Sequence, residues 1–162
     1  MYPIDQIAFM VLLTVLPFLE LRASIPYGIF ETDLPLAVVF MVAVMANILL
    51  GPVLFFFLNK TIHRFLKVKL VERGWQRIIL RTQKKVHPYI EKYGILGLAV
   101  FIGIPLPGSG VYTGALGAYL LGFKFKDFLK ATILGVLIAG LIVTIICLAG
   151  SQTWDFLIKR MG

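Results

Sequence analysis

The chain has 162 residues, of which 59% are hydrophobic, and a formal net charge of +8. Soluble domains average about 45–50% apolar residues, so this composition indicates an integral membrane protein, and the length allows one domain. We assign the positive charge to loops that orient the chain in a membrane, and nucleic-acid binding is not expected. The region before Ile7 has no Lys or Arg, so a cleaved signal peptide is not expected either.

The first apolar segment, residues 7–30, is interrupted halfway by charged residues. As a helix, residues 7–19 would rise about 20 Å, which is too short for a hydrocarbon core of about 30 Å. Glu20 and Arg22 follow, and Pro17 and Pro26 bracket them, so we expect a non-helical turn at this point. A continuous apolar run at residues 35–58 comes next and is long enough to span with some tilt.

A basic connector at residues 59–92 joins the two halves of the chain, with ten Lys or Arg residues against two Glu. Its apolar residues recur at helical spacing, which predicts helices lying in the membrane interface. The positive-inside tendency places this connector in the cytoplasm.

The second half repeats the arrangement, with a second broken segment at residues 94–122. Its first part, residues 94–106, is again too short to cross alone. The stretch with Lys124, Lys126 and Lys130 prefers the same face as the basic connector, so we predict that this segment enters the membrane and returns. The alternative is that each broken segment continues through its break as one kinked span. Residues 131–149 form the second full span. The predicted fold is therefore all-α, with two inverted repeats (1–58 and 93–150), each a re-entrant hairpin followed by a transmembrane helix, and a short tail (151–162).

Glu20 and Arg22 are the ionisable pair within the broken segments, and such residues are costly inside a membrane. We predict that Glu20 titrates protons or couples to a cation, and that Arg22 binds an anionic group through its planar guanidinium. The alternative is a buried ion pair that only maintains the shape of the hairpin.

The turn in the second broken segment is the other candidate site. We predict an anion-binding site here, formed by Gly108, Ser109 and Gly110. Glycines let the backbone approach a ligand, and the N–H groups at the start of the returning helix are free to bind an anion. The alternative is a tight hairpin tip without a ligand. No catalytic constellation or metal-ligand spacing is found, so neither an enzyme nor a cofactor is expected. The predicted substrate cavity is completed by Pro17, Ser24, Pro26, Asn47, Pro105, Pro107, Tyr112 and Thr113.

The segments PFLELRASIPYGI and FIGIPLPGSGVYTGALGAYLLG resemble the two signatures of the prokaryotic family of putative small multi-drug export proteins. That family is thought to be distantly related to the DedA/VTT membrane proteins. The resemblance implies opposed re-entrant hairpins, a multi-pass protein of the plasma membrane and, through DedA, proton-linked movement of lipids. Glu20 matches the membrane-embedded acid of the first DedA hairpin. DedA proteins carry an arginine in the second hairpin, where this chain has none.

We therefore predict a small secondary transporter that moves an anionic lipid carrier, such as a polyprenyl phosphate, or a small amphipathic solute by alternating access. Protons or sodium are the expected coupling ions, and a homodimer or larger assembly in contact with membrane lipids is the expected form. The alternatives are a small multidrug exporter of cationic compounds and a non-transporting scaffold or lipid scramblase. Exchanging the charges of Glu20 and Arg22 separates a scaffold, which tolerates the exchange, from a transporter.

Overall fold

The computed structural model describes residues 2–65, 93–106 and 108–161, with side chains described for 2–60, 93–106 and 108–150. This part of the chain is helical and contains no strand. The helices are α1 (Pro3–Val15), α2 (Leu21–Phe30), α3 (Leu36–Phe65), α4 (Tyr93–Gly103), α5 (Val111–Leu120) and α6 (Phe125–Met161). The interfacial helices predicted in the basic connector fall mostly on residues 66–92, outside the described residues.

Two helices, α3 and α6, are long and apolar enough to cross a membrane by length and composition. Their qualifying stretches are Leu36–Lys60 and Phe125–Gly150, which confirms the prediction of two full-length apolar helices. α6 begins at Phe125, within the basic stretch of Lys124, Lys126 and Lys130 that we expected to precede the second span. It continues through the predicted tail. The early start has a packing reason, since the ring of Phe128 stacks on Phe55 with centroids 5.1 Å apart.

α3 and α6 pack against each other in opposite directions. Gly51 of α3 lies against Thr132 near the beginning of α6, and Gly140 of α6 lies against Phe40 and Val44 near the beginning of α3. Small residues at such positions let two helix backbones approach closely. The pair forms the long axis against which the shorter helices pack.

The first broken segment folds back on itself. The hydroxyls of Thr14 and Ser24 are hydrogen-bonded, with their oxygens 2.8 Å apart, and the rings of Phe9 and Tyr27 lie 4.9 Å apart, so α1 and α2 run antiparallel. The chain reverses between Val15 and Leu21. Phe18 has φ 72° and Glu20 has φ 47°, a backbone region that ends a right-handed helix.

The second broken segment also folds back. A Cβ added to Gly114 of α5 would lie 2.8 Å from Cδ1 of Ile102 of α4, so the missing side chain allows the two helices to touch. Gly135, near the middle of the apolar stretch Phe125–Gly150 of α6, packs on the same Ile102, and Asn47, near the middle of the stretch Leu36–Lys60 of α3, lies beside Glu20. Both reversals of the chain therefore lie close to the middle of the two long apolar stretches.

Candidate functional site

The carboxylate of Glu20 meets the beginning of α5. Its Oε2 accepts a hydrogen bond from the backbone N–H of Val111, and its Oε1 accepts one from the N–H of Tyr112, both at 3.3 Å. The Glu20 side chain is only 3% exposed. The first N–H groups of a helix have no partner within the helix and carry partial positive charge, so a carboxylate is stabilised there. The carboxylate in the turn of the first broken segment thus binds to the N-terminus of a helix in the second.

Gly110 is the residue that permits this contact. Its φ of 105° and ψ of −171° belong to a backbone region that side-chain-bearing residues rarely adopt. A Cβ at this position would lie 2.9 Å from Cδ of Glu20 and closer still to the carboxylate oxygens. The absence of a side chain therefore lets the carboxylate approach the amides of α5.

Arg22 and Tyr112 make two further contacts between the broken segments. The guanidinium of Arg22, which is half-buried, donates from Nη2 to Oγ of Ser109 at 3.0 Å. The hydroxyl of Tyr112 donates to the carbonyl oxygen of Val15. Glu20 and Arg22 thus both make hydrogen bonds to the opposite broken segment, so their interactions join the two turns.

Ser109 organises the turn that Arg22 contacts. Its Oγ lies 2.5 Å from the carbonyl oxygen of Ile104 and 2.7 Å from that of Leu106, and it accepts from the N–H of Leu106 at 3.3 Å. These contacts satisfy backbone groups that leave the helical pattern after α4. The serine therefore closes the turn and presents it to Arg22.

Asn47 brings the long helix α3 into the site. It is 1% exposed, and its side-chain amide lies beside the carboxylate of Glu20. Among the described residues, its Oδ1 has no hydrogen-bond partner. An unpaired buried carbonyl oxygen is costly, so this atom is available to a donor that enters the site.

The structure brings most of the predicted site residues together: Glu20, Arg22, Asn47, Ser109, Gly110 and Tyr112. Gly108 lies in the same turn with φ 83°, and Pro107 is outside the described residues. Ser24 is fully buried and bonds to Thr14. The remaining predicted cavity residues lie nearer the surface, with Pro17 exposed and Pro26, Pro105 and Thr113 half-buried.

Sequence reasoning missed Thr14 and the carbonyl of Val15. Thr14 is the one hydroxyl-bearing residue of α1, and that isolation in an apolar helix was the available signal. The contact of Val15 depends on how two distant turns meet, for which a single sequence offers no signal.

A family model described as putative small multi-drug export protein matches residues 20–142, more than half of the chain. Comparisons with curated proteins and with solved structures found no significant match. The matched region begins at Glu20 and includes the turn at Gly110. The description is that of an exporter, a class of transport protein rather than of enzyme, and it agrees with the two long apolar helices of a membrane protein. The chain belongs to the family of putative small multi-drug export proteins.

Proposed function

We propose that this protein is a proton-coupled secondary transporter that works by alternating access between two opposed re-entrant hairpins. The observation that carries the proposal is the position of the Glu20 carboxylate on the first two amides of α5. A titratable group of one hairpin thus occupies the anion-binding end of a helix that belongs to the other hairpin. Its protonation state therefore bears directly on how firmly the two hairpins are joined.

The packing supports the proposed membrane arrangement. Each broken segment folds back on itself, and each reversal lies close to the middle of a long apolar stretch. Non-helical backbone at membrane depth is tolerated only where protein or a wet cavity surrounds it. Hairpins that enter from opposite faces and meet at their tips satisfy this condition, and two such halves, each with one full span, form inverted repeats.

Coupling arises because the carboxylate and an anionic substrate compete for the same donors. When Glu20 is ionised, it accepts charge-assisted hydrogen bonds from Val111 and Tyr112. Protonation removes the charge and weakens these bonds, so the amides of α5 become available to an incoming anion. Arg22 lies beside them and adds a positive charge. Substrate binding and proton binding thus favour the same form of the protein.

This chemistry fits an anionic lipid head group, and we propose a polyprenyl phosphate as the first substrate. A phosphate takes bidentate contacts from a guanidinium and accepts bonds from helix N-terminal amides. The proposed relationship to DedA proteins points to the same substrate class.

A cationic compound is the second candidate, and two observations favour it. The family description names multidrug export, and Asn47 Oδ1 beside the Glu20 carboxylate offers two acceptors to a cation. In that case the drug would pair with ionised Glu20 and compete with the proton. Arg22 would oppose such a substrate by charge repulsion.

We propose a homodimer or larger assembly in the prokaryotic plasma membrane, with the basic connector in the cytoplasm. Phe18 and Leu106, one from each turn, are 78% and 61% exposed. Their turns also contain backbone that leaves the helical pattern, and a neighbouring copy would shield it from lipid.

The test is movement of substrate by the purified protein in liposomes, with and without an imposed pH gradient. A short-chain polyprenyl phosphate and a cationic dye are assayed side by side. We expect gradient-dependent movement of the phosphate by the wild-type protein and loss of it in Glu20→Gln and Arg22→Ala. Equal behaviour of all three proteins, with folding intact, would contradict the proposal and favour a scaffold.

A further inference from the structure

Buried polar side chains are distributed unequally between the two broken segments. In the first, Gln6, Thr14 and Ser24 are 8%, 0% and 0% exposed, and they accompany Glu20. In the described residues of the second, the buried positions of α4 and α5 hold apolar side chains or glycine. The buried polar side chains are therefore concentrated in the segment that carries Glu20.

The buried face of α1 leads to a hydroxyl contact with α2. Gln6, Met10 and Thr14 are the buried residues of α1 and lie four residues apart, so they share one face of the helix. Oγ1 of Thr14 lies 2.8 Å from both the carbonyl oxygen of Met10 and Oγ of Ser24, and Ser24 closes the first turn of α2 with its N–H on the carbonyl oxygen of Glu20. Met10 separates Gln6 from Thr14, and its unbranched side chain is flexible enough to move aside.

We infer that protons reach Glu20 from the face of the membrane where the first broken segment enters, along the buried face of α1 and through the Thr14–Ser24 hydroxyl pair. The apolar packing of α4 and α5 closes the opposite side. A hydroxyl both donates and accepts, so two hydroxyls in contact relay a proton where an apolar pair does not. The inference rests on the proposed function, because it assigns a route to the coupling proton.

Other groups around Glu20 do not offer the same connection. Arg22 and Tyr112 are the charged or titratable neighbours, from α2 and α5, and α3 contributes the uncharged Asn47. The guanidinium of Arg22 is bonded to Ser109, and the hydroxyl of Tyr112 donates to a backbone carbonyl. Tyr112 thus reaches only the last residue of α1, Val15, whereas the hydroxyl pair lies on the buried face of that helix.

The experiment follows hydrogen–deuterium exchange at Glu20 itself. Infrared spectra are recorded in lipid nanodiscs at low pH, and the band of the protonated Glu20 carboxyl is identified by its absence in Glu20→Gln. We expect Thr14→Val and Ser24→Ala to slow the shift of this band in D2O by about tenfold. Thr14→Ser keeps a hydroxyl and should exchange at the wild-type rate.

The matched control is Thr132→Val, because Thr132 is another fully buried threonine and lies on α6. It should leave the exchange rate unchanged. The sign of the effect separates a relay from a structural bond, since loosening of the α1–α2 contact would speed exchange. Wild-type or faster exchange in Thr14→Val, or slowing by Tyr112→Phe in its place, would overturn the inference.

The two proposals can fail separately. Slowed exchange without gradient-driven transport in liposomes would keep the route and remove the proposed function. Gradient-driven transport with unchanged exchange in Thr14→Val and Ser24→Ala would keep the function and overturn the route.

Discussion

Replacing Gly110 with alanine tests whether the contact between Glu20 and α5 stabilises the fold. The added Cβ would lie 2.9 Å from Cδ of Glu20, so the carboxylate must move away from α5. The backbone of Gly110, at φ 105°, adds strain of about 1–3 kcal/mol for a residue with a side chain. Loss of two bonds to a charged acceptor adds about 1.5 kcal/mol or more each, taken at the low end because both are 3.3 Å long. We expect Gly110→Ala to lower the free energy of unfolding by about 4–6 kcal/mol in total.

Gly122→Ala is the matched control for this substitution. Gly122 also has a positive φ, of 69°, but an added Cβ would meet nothing within 4 Å. Its replacement should lower the free energy of unfolding only by the strain of a left-handed backbone, about 1–2 kcal/mol. The free energy of unfolding of both variants is measured by denaturant titration in micelles.

A double-mutant cycle measures how much of the destabilisation comes from the clash between the added Cβ and the Glu20 carboxylate. Gly110→Ala combined with Glu20→Ala should be less destabilised than the sum of the single variants, by about 2 kcal/mol. The reasoning is refuted if Gly110→Ala costs no more than Gly122→Ala, or if the cycle gives additive effects.

Three further predictions concern the same contacts and their neighbours. Ser109→Ala removes the acceptor of Arg22 and the bonds within the turn, and it should lower the free energy of unfolding by about 1–2 kcal/mol; an unchanged value would contradict the assigned role. Gly28→Ala places a Cβ 2.9 Å from a side-chain atom of α3 and should destabilise by about 1–3 kcal/mol, whereas Gly150→Ala, in open space, should be neutral or slightly stabilising in the same titration. Exchange of the charges, Glu20→Arg with Arg22→Glu, should abolish transport in liposomes, because an arginine cannot accept hydrogen bonds from the amides of α5. Thermal unfolding of this variant should still show a folded protein. Full transport by that variant would contradict the mechanism.

The positions of the breaks and of the two long helices were predictable because they depend on composition and local chain chemistry. Glu20 and Gly110 interrupt apolar runs, and an interrupted run of this length cannot form one spanning helix. The beginning of α6 at Phe125 was not predicted, since it depends on aromatic packing with α3 rather than on its own lysines.

The candidate site was predictable as a set of residues but not as an arrangement. Sequence reasoning assigned the proton to Glu20 and an anion to the amides at Gly108–Gly110. In the structure the Glu20 carboxylate itself accepts from the amides of Val111 and Tyr112. That contact joins residues 91 and 92 positions apart, so it depends on how two turns meet, which no local pattern specifies. The competition between proton and anion follows only from that contact.

Proton exchange on ligand binding tests the central claim most directly. A short-chain polyprenyl phosphate is added to the purified protein in a weakly buffered solution at pH 8, and the pH change is recorded. If the anion displaces ionised Glu20 from α5, its binding favours the protonated carboxyl, so the wild-type protein should take up as much as about one proton per ligand, and Glu20→Gln none. Binding without proton uptake, or with uptake equal in Glu20→Gln, would contradict the account. Binding of a cationic dye that weakens as the pH is lowered, with no binding of the phosphate, would select the cationic substrate instead.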